Sequence, residues 1–125
     1  MDHTSLYQDA FENASSGKGV MTLDGHWFKV NKALCMITGY SKEELEQSAF
    51  NIVSHPDDLE QTADLFKKPS DIKDKLVIDQ RFVHKNGKTL WVSLHFIMLE
   101  TEQSSYYHID IFDISLKIGT RKKAK

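Results

Sequence analysis

Cysteine, proline and long apolar runs are scarce in this chain of 125 residues, which has one cysteine and two prolines. Because Cys35 is the only cysteine, no disulfide can form within the chain, and the sequence gives no sign of an oxidising compartment. No apolar stretch reaches the roughly 20 residues of a membrane-spanning helix. The first residues also lack the basic start and apolar block of a secretory signal. These absences predict a cytoplasmic location with no membrane segment in the chain.

An excess of positive charge is missing too, since 16 basic residues stand against 18 acidic ones and the formal net charge is -2. A protein dedicated to nucleic acid usually carries a strongly basic surface, so we expect no nucleic-acid partner. Hydrophobic residues make up 40% of the chain and charged residues 27%, which is typical of a folded globular domain. The length fits a single domain with one core.

The clearest structural pattern lies between Leu76 and Leu99, where two stretches of alternating apolar and polar residues flank Asn86-Gly87. Alternation with a period of two predicts β-strands, because successive side chains point to opposite faces. Asn-Gly favours a tight type I′ turn, in which both central residues take positive φ. We therefore predict a long hairpin. Its core face would carry Ile78, Gln80, Phe82, Val92, Leu94, Phe96 and Met98.

A second hairpin signal, Asp24-Gly25, separates a predicted strand over residues 20–23 from another over 26–30. In the later strand, the alternation places Phe28 and Val30 on the same face. We expect that face to point towards the core.

Four helical segments are predicted: a lead-in from Leu6 to Ala14, one from Asn31 to Thr38, a short one opening at Ser41, and one from Asp57 to Lys68. Asn31 and Ser41 are suitable N-caps, and Glu44 completes a capping box with Ser41. The acidic residues at the start of the last helix suit its dipole. A final strand is predicted from Tyr106 to Ile114. Strands at both ends with helices between them indicate an α+β fold with one antiparallel sheet.

Several short motifs follow one another along nearly the whole chain. They are Phe11-Glu12-Asn13-Ala14, Leu23-Asp24, Asn31-x-Ala33 with Gly39-Tyr40-Ser41-x-Glu43-Glu44-Leu45, His55-Pro56-Asp57-Asp58, Lys85-Asn86-Gly87 with Trp91-Val92, and Asp113-Ile114-Ser115. In this order they resemble a PAS domain of the S-box type with its C-terminal PAC motif. The resemblance implies a five-stranded antiparallel sheet in the order 2-1-5-4-3, with short helices on one face that close a pocket.

The resemblance also implies a regulatory domain rather than an enzyme. We expect a single sensory domain over residues 1–118, followed at 119–125 by a basic tail or the start of a linker to an output domain. The expected setting is a bacterial two-component or related sensor, of the histidine kinase or diguanylate cyclase type. No catalytic residues are predicted, because the sequence has no nucleophile elbow, phosphate loop or pair of catalytic carboxylates.

The sequence identifies no cofactor. Flavin photosensors of this family carry a reactive cysteine after the Gly-Tyr-Ser segment, at the position where this chain has Phe50. Cys35 lies on an earlier helix, and we expect it to be a small buried residue. Haem-binding relatives use a histidine of the long helix, and residues 57–68 contain none.

Two further groups of polar residues are candidates, one for metal binding and one for coupling the helices to the sheet. His95, His108 and Asp110 are expected near one another on the outer face, but they lack zinc-type spacing. A solvated polar face is favoured there over a surface metal, and no metal site is predicted. The family often pairs a glutamate of the Gly-Tyr-Ser-x-Glu-Glu segment with the lysine before the hairpin turn. Here that pair would join Glu43 or Glu44 to Lys85.

The side chains of the predicted inner face form the candidate ligand pocket. Under the resemblance its lining would consist of Met21, Leu23, Phe28, Val30, Leu34, Ile37, Asn51, Ile78, Gln80, Phe82, Leu94, Phe96, Ile109 and Ile111. An apolar concavity with few polar groups suits a small ligand. The alternative is that these side chains fill the core. Ile109 favours the alternative, because the family often has glycine there and the larger side chain would reduce the cavity.

Two functions therefore stay open. One is a sensory domain that binds a small ligand and biases an output domain. The other is a ligand-free module that forms a homodimer through the outer sheet face and the N-terminal helix. Apolar residues expected on those surfaces support the second function, since such patches usually mark interfaces. They are Trp91, Ile97 and Val83 on the sheet and Leu6 and Phe11 on the helix.

Overall fold

The computed structural model describes residues 3–67 and 75–116 of the chain. Five strands form one antiparallel sheet: β1 (Gly17–Thr22), β2 (Trp27–Val30), β3 (Leu76–Val83), β4 (Thr89–Glu100) and β5 (Ser105–Asp113). Their order across the sheet is β2-β1-β5-β4-β3. The predicted fold class and strand order are confirmed. The first and last strands along the chain meet at the centre, because β5 pairs with both β1 and β4.

The helices are α1 (His3–Asn13), α2 (Lys32–Thr38), α3 (Lys42–Glu46) and α4 (Leu59–Lys67), with 3-10 turns at Phe50–Ile52 and Pro56–Asp58. The segment from α2 to α4 covers one face of the sheet, which we call the inner face, and contributes Leu34, Leu45 and Phe50 to the core. Helix α1 lies on the opposite, outer face. The helices that follow β2 therefore share one face as expected, while α1 does not. The predicted helix end at Lys68 and the basic tail lie outside the described residues.

Both of the predicted hairpin turns are one residue longer than the two-residue loop of a type I′ turn. The amide of Gly87 donates to the carbonyl of His84 at 2.8 Å, and the amide of His84 donates to the carbonyl of Lys88 at 2.8 Å. Gly87 has a φ of 93°, but Asn86 keeps a negative φ. The predicted type I′ turn is therefore wrong. A three-residue loop needs positive φ only at its glycine. In the turn between β1 and β2, the residue with positive φ is likewise a glycine, Gly25, whose φ is 92°.

A β-bulge in β2 changes which of its residues face the core. Met21 pairs with Trp27, and the register shifts there so that Phe28 has no partner in the ladder. An extra residue of this kind breaks the period of two. Trp27 and Val30 are consequently buried, while Phe28 is 59% exposed on the outer face. The prediction that Phe28 shares the inner face with Val30 and lines a pocket there is wrong.

The predicted N-cap at Asn31 is confirmed, and its side chain also joins three elements. Asn31 Oδ1 accepts from the amide of Leu34 at 3.0 Å and from that of Lys18 at 2.9 Å. Its Nδ2 donates to the carbonyls of Phe11 at 2.9 Å and Ser16 at 3.1 Å. One buried amide side chain therefore holds α1, β1 and α2 together.

The predicted capping box of α3 is confirmed as well. Ser41 Oγ accepts from the amide of Glu44 at 3.1 Å, and Glu44 Oε1 accepts from the amide of Ser41 at 3.0 Å. Gly39, with a φ of 79°, ends the preceding helix and donates to the carbonyl of Cys35. Among residues 3–67 and 75–116, no helix has the length and apolar character needed to cross a membrane.

Candidate functional site

An open cleft lies beside the inner face, between the β1–β2 turn and α4. Its volume is about 440 Å³, within the range of small-molecule sites. The amide of Phe50 donates to the carbonyl of Gly25 at 2.7 Å, which fixes the turn against the first 3-10 segment. We call this feature the α4 cleft. It is lined by Asp24, Gly25, Ala49, Phe50, Asn51, Leu59, Thr62, Ala63 and Phe66.

The ring of Phe66 separates the α4 cleft from the core. Its centroid lies 5.7 Å from that of Phe50 and 5.9 Å from that of Tyr107. It also meets Phe96 edge-on at 6.5 Å. Aromatic pairs at these distances are favourable beyond their buried area. On its other side Phe66 covers the backbone of Gly25, where an added Cβ would lie 3.0 Å from the ring. Phe66 is therefore the floor of the cleft.

The structure places most of the predicted pocket residues together, but behind that floor. Fully buried on the inner face are Met21, Val30, Leu34, Gln80, Phe82, Leu94, Phe96, Ile109 and Ile111. Leu23, Ile37 and Ile78 are partly buried against them. Phe28 lies on the outer face, and Asn51 is exposed in the wall of the α4 cleft. The inner face is a packed core, and a ligand-binding role for these residues stays a prediction.

Gln80, a polar residue buried within that core, connects α4 to β3. Its Oε1 lies 3.1 Å from the Thr62 hydroxyl, which donates to it. Its Nε2 donates to Gln61 Oε1 at 3.0 Å. A buried polar side chain must find partners of this kind, because leaving it unpaired is costly. The position of α4 is therefore specified by hydrogen bonds as well as by packing.

Asp58, at the start of α4, makes the second connection to β3. Its Oδ2 accepts from the backbone amide of Arg81 at 2.7 Å, and its Oδ1 accepts from Nη2 at 2.8 Å. Hydrogen bonds from Arg81 hold the pKa of the Asp58 carboxyl below its usual value. The guanidinium lies 5.4 Å from the Trp91 ring. Only a helix-dipole role could be predicted for Asp58 from the sequence, since nothing local pairs it with a residue so distant in the chain.

The expected ion pair between the helices and the hairpin is confirmed for Glu44. Lys85 Nζ donates to both carboxylate oxygens of Glu44, at 3.0 and 2.8 Å. The hydrogen bond from Lys85 is the main cause that lowers the pKa of Glu44.

Cys35 is partly buried on α2, and burial raises the pKa of its thiol.

A second groove, on the outer face, runs between α1 and the sheet. Its volume is about 520 Å³, and it is lined by Thr4, Tyr7, Gln8, Ala10, Phe11, Lys18, Val20, Lys29, Leu99 and His108. The Phe11 ring meets His108 edge-on at 6.3 Å, and Lys29 Nζ lies 4.8 Å from the Phe11 centroid. Burial lowers the pKa of His108, while Asp110 raises it and Lys18 lowers it. The contact between α1 and the sheet therefore lies close to the charged side chains of Lys18, Lys29 and Asp110.

The polar residues considered for a surface metal have other partners. Asp110 forms an ion pair with Lys18. His95 shares a hydrogen bond with Ser93 at 3.2 Å and meets the Phe112 ring at 5.0 Å. In the part of the chain that the structure describes, no group of three metal-binding side chains converges.

Comparison with known proteins agrees with this architecture. The PAS fold family matches residues 28–110. Over 89 residues the chain is 30% identical to the probable diguanylate cyclase DgcE of Escherichia coli (strain K12), which covers 70% of this chain and 8% of the cyclase. The chain thus spans only a small part of that relative.

Solved structures show the same fold. The PAS domain of a protein from Colwellia psychrerythraea superimposes with a TM-score of 0.80 at 23% identity, covering 91% of this chain and 98% of that one. A PAS domain from a two-component sensor histidine kinase gives a TM-score of 0.77 at 16% identity, covering 88% and 95%. With the family match over most of its length and the sheet order found here, this chain belongs to the PAS fold family of sensory domains.

Proposed function

We propose that this chain is the sensory module of a cytoplasmic signalling protein and that it binds a small molecule at the α4 cleft. The cleft supports this most directly, because it combines an apolar aromatic floor with a few polar residues in its lining, namely Asp24, Asn51 and Thr62. That combination is typical of small-molecule sites. The domain itself is regulatory, and any enzymatic activity would belong to an output domain elsewhere in the full protein.

The contacts of α4 suggest how occupancy of the cleft would reach the rest of the protein. Asp58 binds Arg81 on β3, and Arg81 lies over Trp91 on β4. The backbone amide of Trp91 donates to Ser115 Oγ at 2.9 Å, just beyond β5. These contacts join α4 to the end of the sheet. A ligand would bias an output domain only if it binds one position of α4 more tightly than another.

The setting that we propose is a bacterial sensor with a diguanylate cyclase or histidine kinase output. The identity to a probable diguanylate cyclase supports the first kind of output. The structural similarity to a sensor histidine kinase domain supports the fold alone, since the identity there is 16%. Because this chain spans 8% of the cyclase, the output activity is a proposal for the whole protein.

Native mass spectrometry of freshly purified protein tests the sensing role. We expect either a co-purifying small molecule or, from a metabolite panel, a compound that raises the melting temperature through preferential binding to the folded state. A variant with Ala63→Trp, which would fill the cleft from α4, should lose that shift. A protein that carries no ligand and responds to no member of the panel would contradict ligand sensing.

A second candidate function, homodimerisation, has its own support on the outer face. Phe28, Ile97, Leu99 and Phe112 are exposed there, and α1 exposes Leu6. Exposed apolar groups gathered on one face usually mark an interface. We expect a dimer in sedimentation experiments at high micromolar concentration, and we expect Phe28→Ser with Ile97→Ser to weaken it. Met36→Ser is the matched control, because Met36 is 82% exposed on α2. A monomer at all concentrations would exclude this role.

A further inference from the structure

Helix α1 covers part of the outer sheet face without packing closely against it. None of its 11 residues is buried, and only Phe11 and Glu12 are partly shielded from solvent. The carbonyl of Phe11 accepts from Asn31 Nδ2, so α1 is fixed to the fold near its C-terminal end. A helix of this length is marginal unless it buries an apolar face. The groove of about 520 Å³ beneath α1, which we call the outer groove, therefore leaves the helix with little apolar contact.

The outer groove crosses four strands of the sheet. Its floor carries Lys29 on β2, Val20 on β1, His108 on β5 and Leu99 on β4. Val20 pairs with Lys29 on one side and with His108 on the other, so these three residues stand side by side. Three strand spacings of about 4.8 Å make the floor roughly 14 Å long. A molecule that follows this floor must therefore be elongated.

The two ends of the outer groove differ in polarity. At the β2 end, Lys29 is partly buried, and its Nζ lies 4.8 Å from the centroid of the Phe11 ring. Lys18 is paired with Asp110, but no carboxylate in the part of the chain that the structure describes forms an ion pair with Lys29. At the β4 end, the floor is the apolar side chain of Leu99, which is 39% exposed. The groove therefore has a cationic end and an apolar end.

Charge complementarity indicates what the outer groove can hold. Among the described residues that line it are two lysines and one histidine but no aspartate or glutamate, although acidic residues outnumber basic ones in the whole chain. Burial lowers the pKa of His108, so its ring is uncharged near neutral pH. Because Asp110 already compensates Lys18, the charge left over is that of Lys29. One negative group at the β2 end would balance it.

We propose that the outer groove binds an amphipathic monocarboxylate with an extended alkyl chain, whose carboxylate pairs with Lys29 and whose chain lies over Val20 towards Leu99. Binding supplies the apolar contact that α1 lacks and so holds the helix against the sheet. Burial of the alkyl chain provides the driving force, and the ion pair selects an anion. The site lies on the opposite face of the sheet from the α4 cleft, and the inference does not depend on ligand binding there.

Octanoate and octan-1-ol form a matched pair of probes, because they share the alkyl chain and only octanoate is charged. Butyrate has the same charge but lacks most of the chain. Binding is followed at about pH 7.5, where His108 is neutral, by nitrogen-15 NMR of the backbone amides. We expect octanoate to shift the amides of α1 and of the groove floor. Octan-1-ol should bind at least about fivefold more weakly, and butyrate more weakly still.

Two variants test the charged end and the space beneath α1. Lys29→Met removes the ammonium group but keeps a long apolar side chain, so it should weaken octanoate binding about fivefold and leave octan-1-ol binding unchanged. Lys88→Met, in the β3–β4 turn outside the groove lining, is the matched control and should bind both probes as the wild type does. Ala10→Trp fills the groove from the exposed surface of α1, leaves the core intact, and should abolish octanoate binding.

Hydrogen exchange at a fixed pH tests the effect on the helix. Octanoate should raise the protection factors of the α1 amides in the wild type and not in Ala10→Trp, because a ligand that fills the groove opposes local opening of α1. Unchanged protection of α1 in the octanoate-bound wild type would contradict the role of the ligand in holding the helix.

Equal binding of octanoate and octan-1-ol to the wild type would overturn the proposal, as would octanoate binding that Lys29→Met leaves unchanged. Amide shifts confined to the α4 cleft would also overturn it and would favour the sensing site there. If a second copy of the chain covers the groove instead, the α1 amides will shift with protein concentration and not with octanoate, and the carboxylate site is excluded.

Discussion

Asp58 accepts hydrogen bonds from both the backbone amide and the guanidinium of Arg81, at 2.7 and 2.8 Å, and so joins the start of α4 to β3. The Asp58 side chain is only 14% exposed. Charge-assisted bonds of this bidentate kind are stronger than neutral ones. The pair stands at one end of α4, and the Gln80 hydrogen bonds stand further along it. Together they hold α4 against β3.

Asp58→Asn should lower the free energy of unfolding by about 1–2 kcal/mol, because it removes the charge from a partly buried pair. Chemical denaturation measures this loss. Asp57→Asn is the control, since the Asp57 side chain is 70% exposed and lies 3.8 Å from Arg81. We expect that control to cost less than about 0.5 kcal/mol. Equal losses in the two variants would show that the Asp58–Arg81 pair stabilises the fold no more than the Asp57–Arg81 pair does.

The stability of the domain should fall with acidity in a way that depends on His108. The folded state lowers the pKa of this residue, chiefly by burial, with Lys18 adding to and Asp110 opposing the effect. The unfolded chain therefore takes up the proton first as pH falls below about 6.5, and stability decreases there. Above about pH 6.5 the His108 side chain is neutral in both the folded and the unfolded state, so its protonation no longer reduces the free energy of unfolding.

Denaturation of the wild type and His108→Gln at about pH 8 and about pH 5 measures this effect. The variant should lose part of the pH dependence and keep the rest, which comes from the other titratable groups. Since His108 touches Phe11 on α1, and Lys18 and Lys29 add positive charge nearby, the hydrogen-exchange protection factors of α1, which correct for the slower intrinsic exchange at low pH, should be smaller at the lower pH in the wild type. An unchanged pH dependence in His108→Gln would contradict the prediction.

Gly19→Ala should destabilise the domain by about 1–3 kcal/mol through overpacking. An added Cβ would lie 2.4 Å from Cζ3 of Trp27 and 3.4 Å from Leu34. The displaced indole should also change its near-ultraviolet circular dichroism. Gly87→Ala is the comparison, because its φ of 93° is strained for alanine but nothing lies within 4 Å. It should lose stability without that spectral change, and a Trp27 signal that stays the same in Gly19→Ala would refute the clash.

Lys85→Ala should cost less than about 1 kcal/mol, despite its two short hydrogen bonds to Glu44. The Lys85 side chain is 51% exposed, so water and salt screen the pair. The small loss should disappear in high salt. Lys88→Ala in the same turn is the control. A large loss that persists in salt would mean that the pair fixes α3 against the hairpin more firmly than its exposure suggests.

Local sequence patterns were sufficient to predict the strands, the helices and the helix caps. Alternation predicted β3 and β4, and spacing predicted the caps at Asn31 and Ser41, because both depend on residues within a few positions of each other. The strand order and the Glu44–Lys85 pair came from the resemblance to the family. The pattern was wrong where the chain inserts a residue, as at the Phe28 bulge and in both turns, since a register shift is decided by the neighbouring strand.

The sequence by itself thus determined which segments become strands and helices and, except in the bulged strand β2, which of their faces are apolar, because periodicity and capping act over one or two turns of chain. Only the tertiary structure decided that α1 lies on the outer face, that Asp58 meets Arg81, and that Phe66 fills the space between Phe50 and Tyr107. Those contacts join residues far apart in the chain, and they depend on how rings and charges fit when the sheet and helices pack together. That packing determines the shape of the α4 cleft.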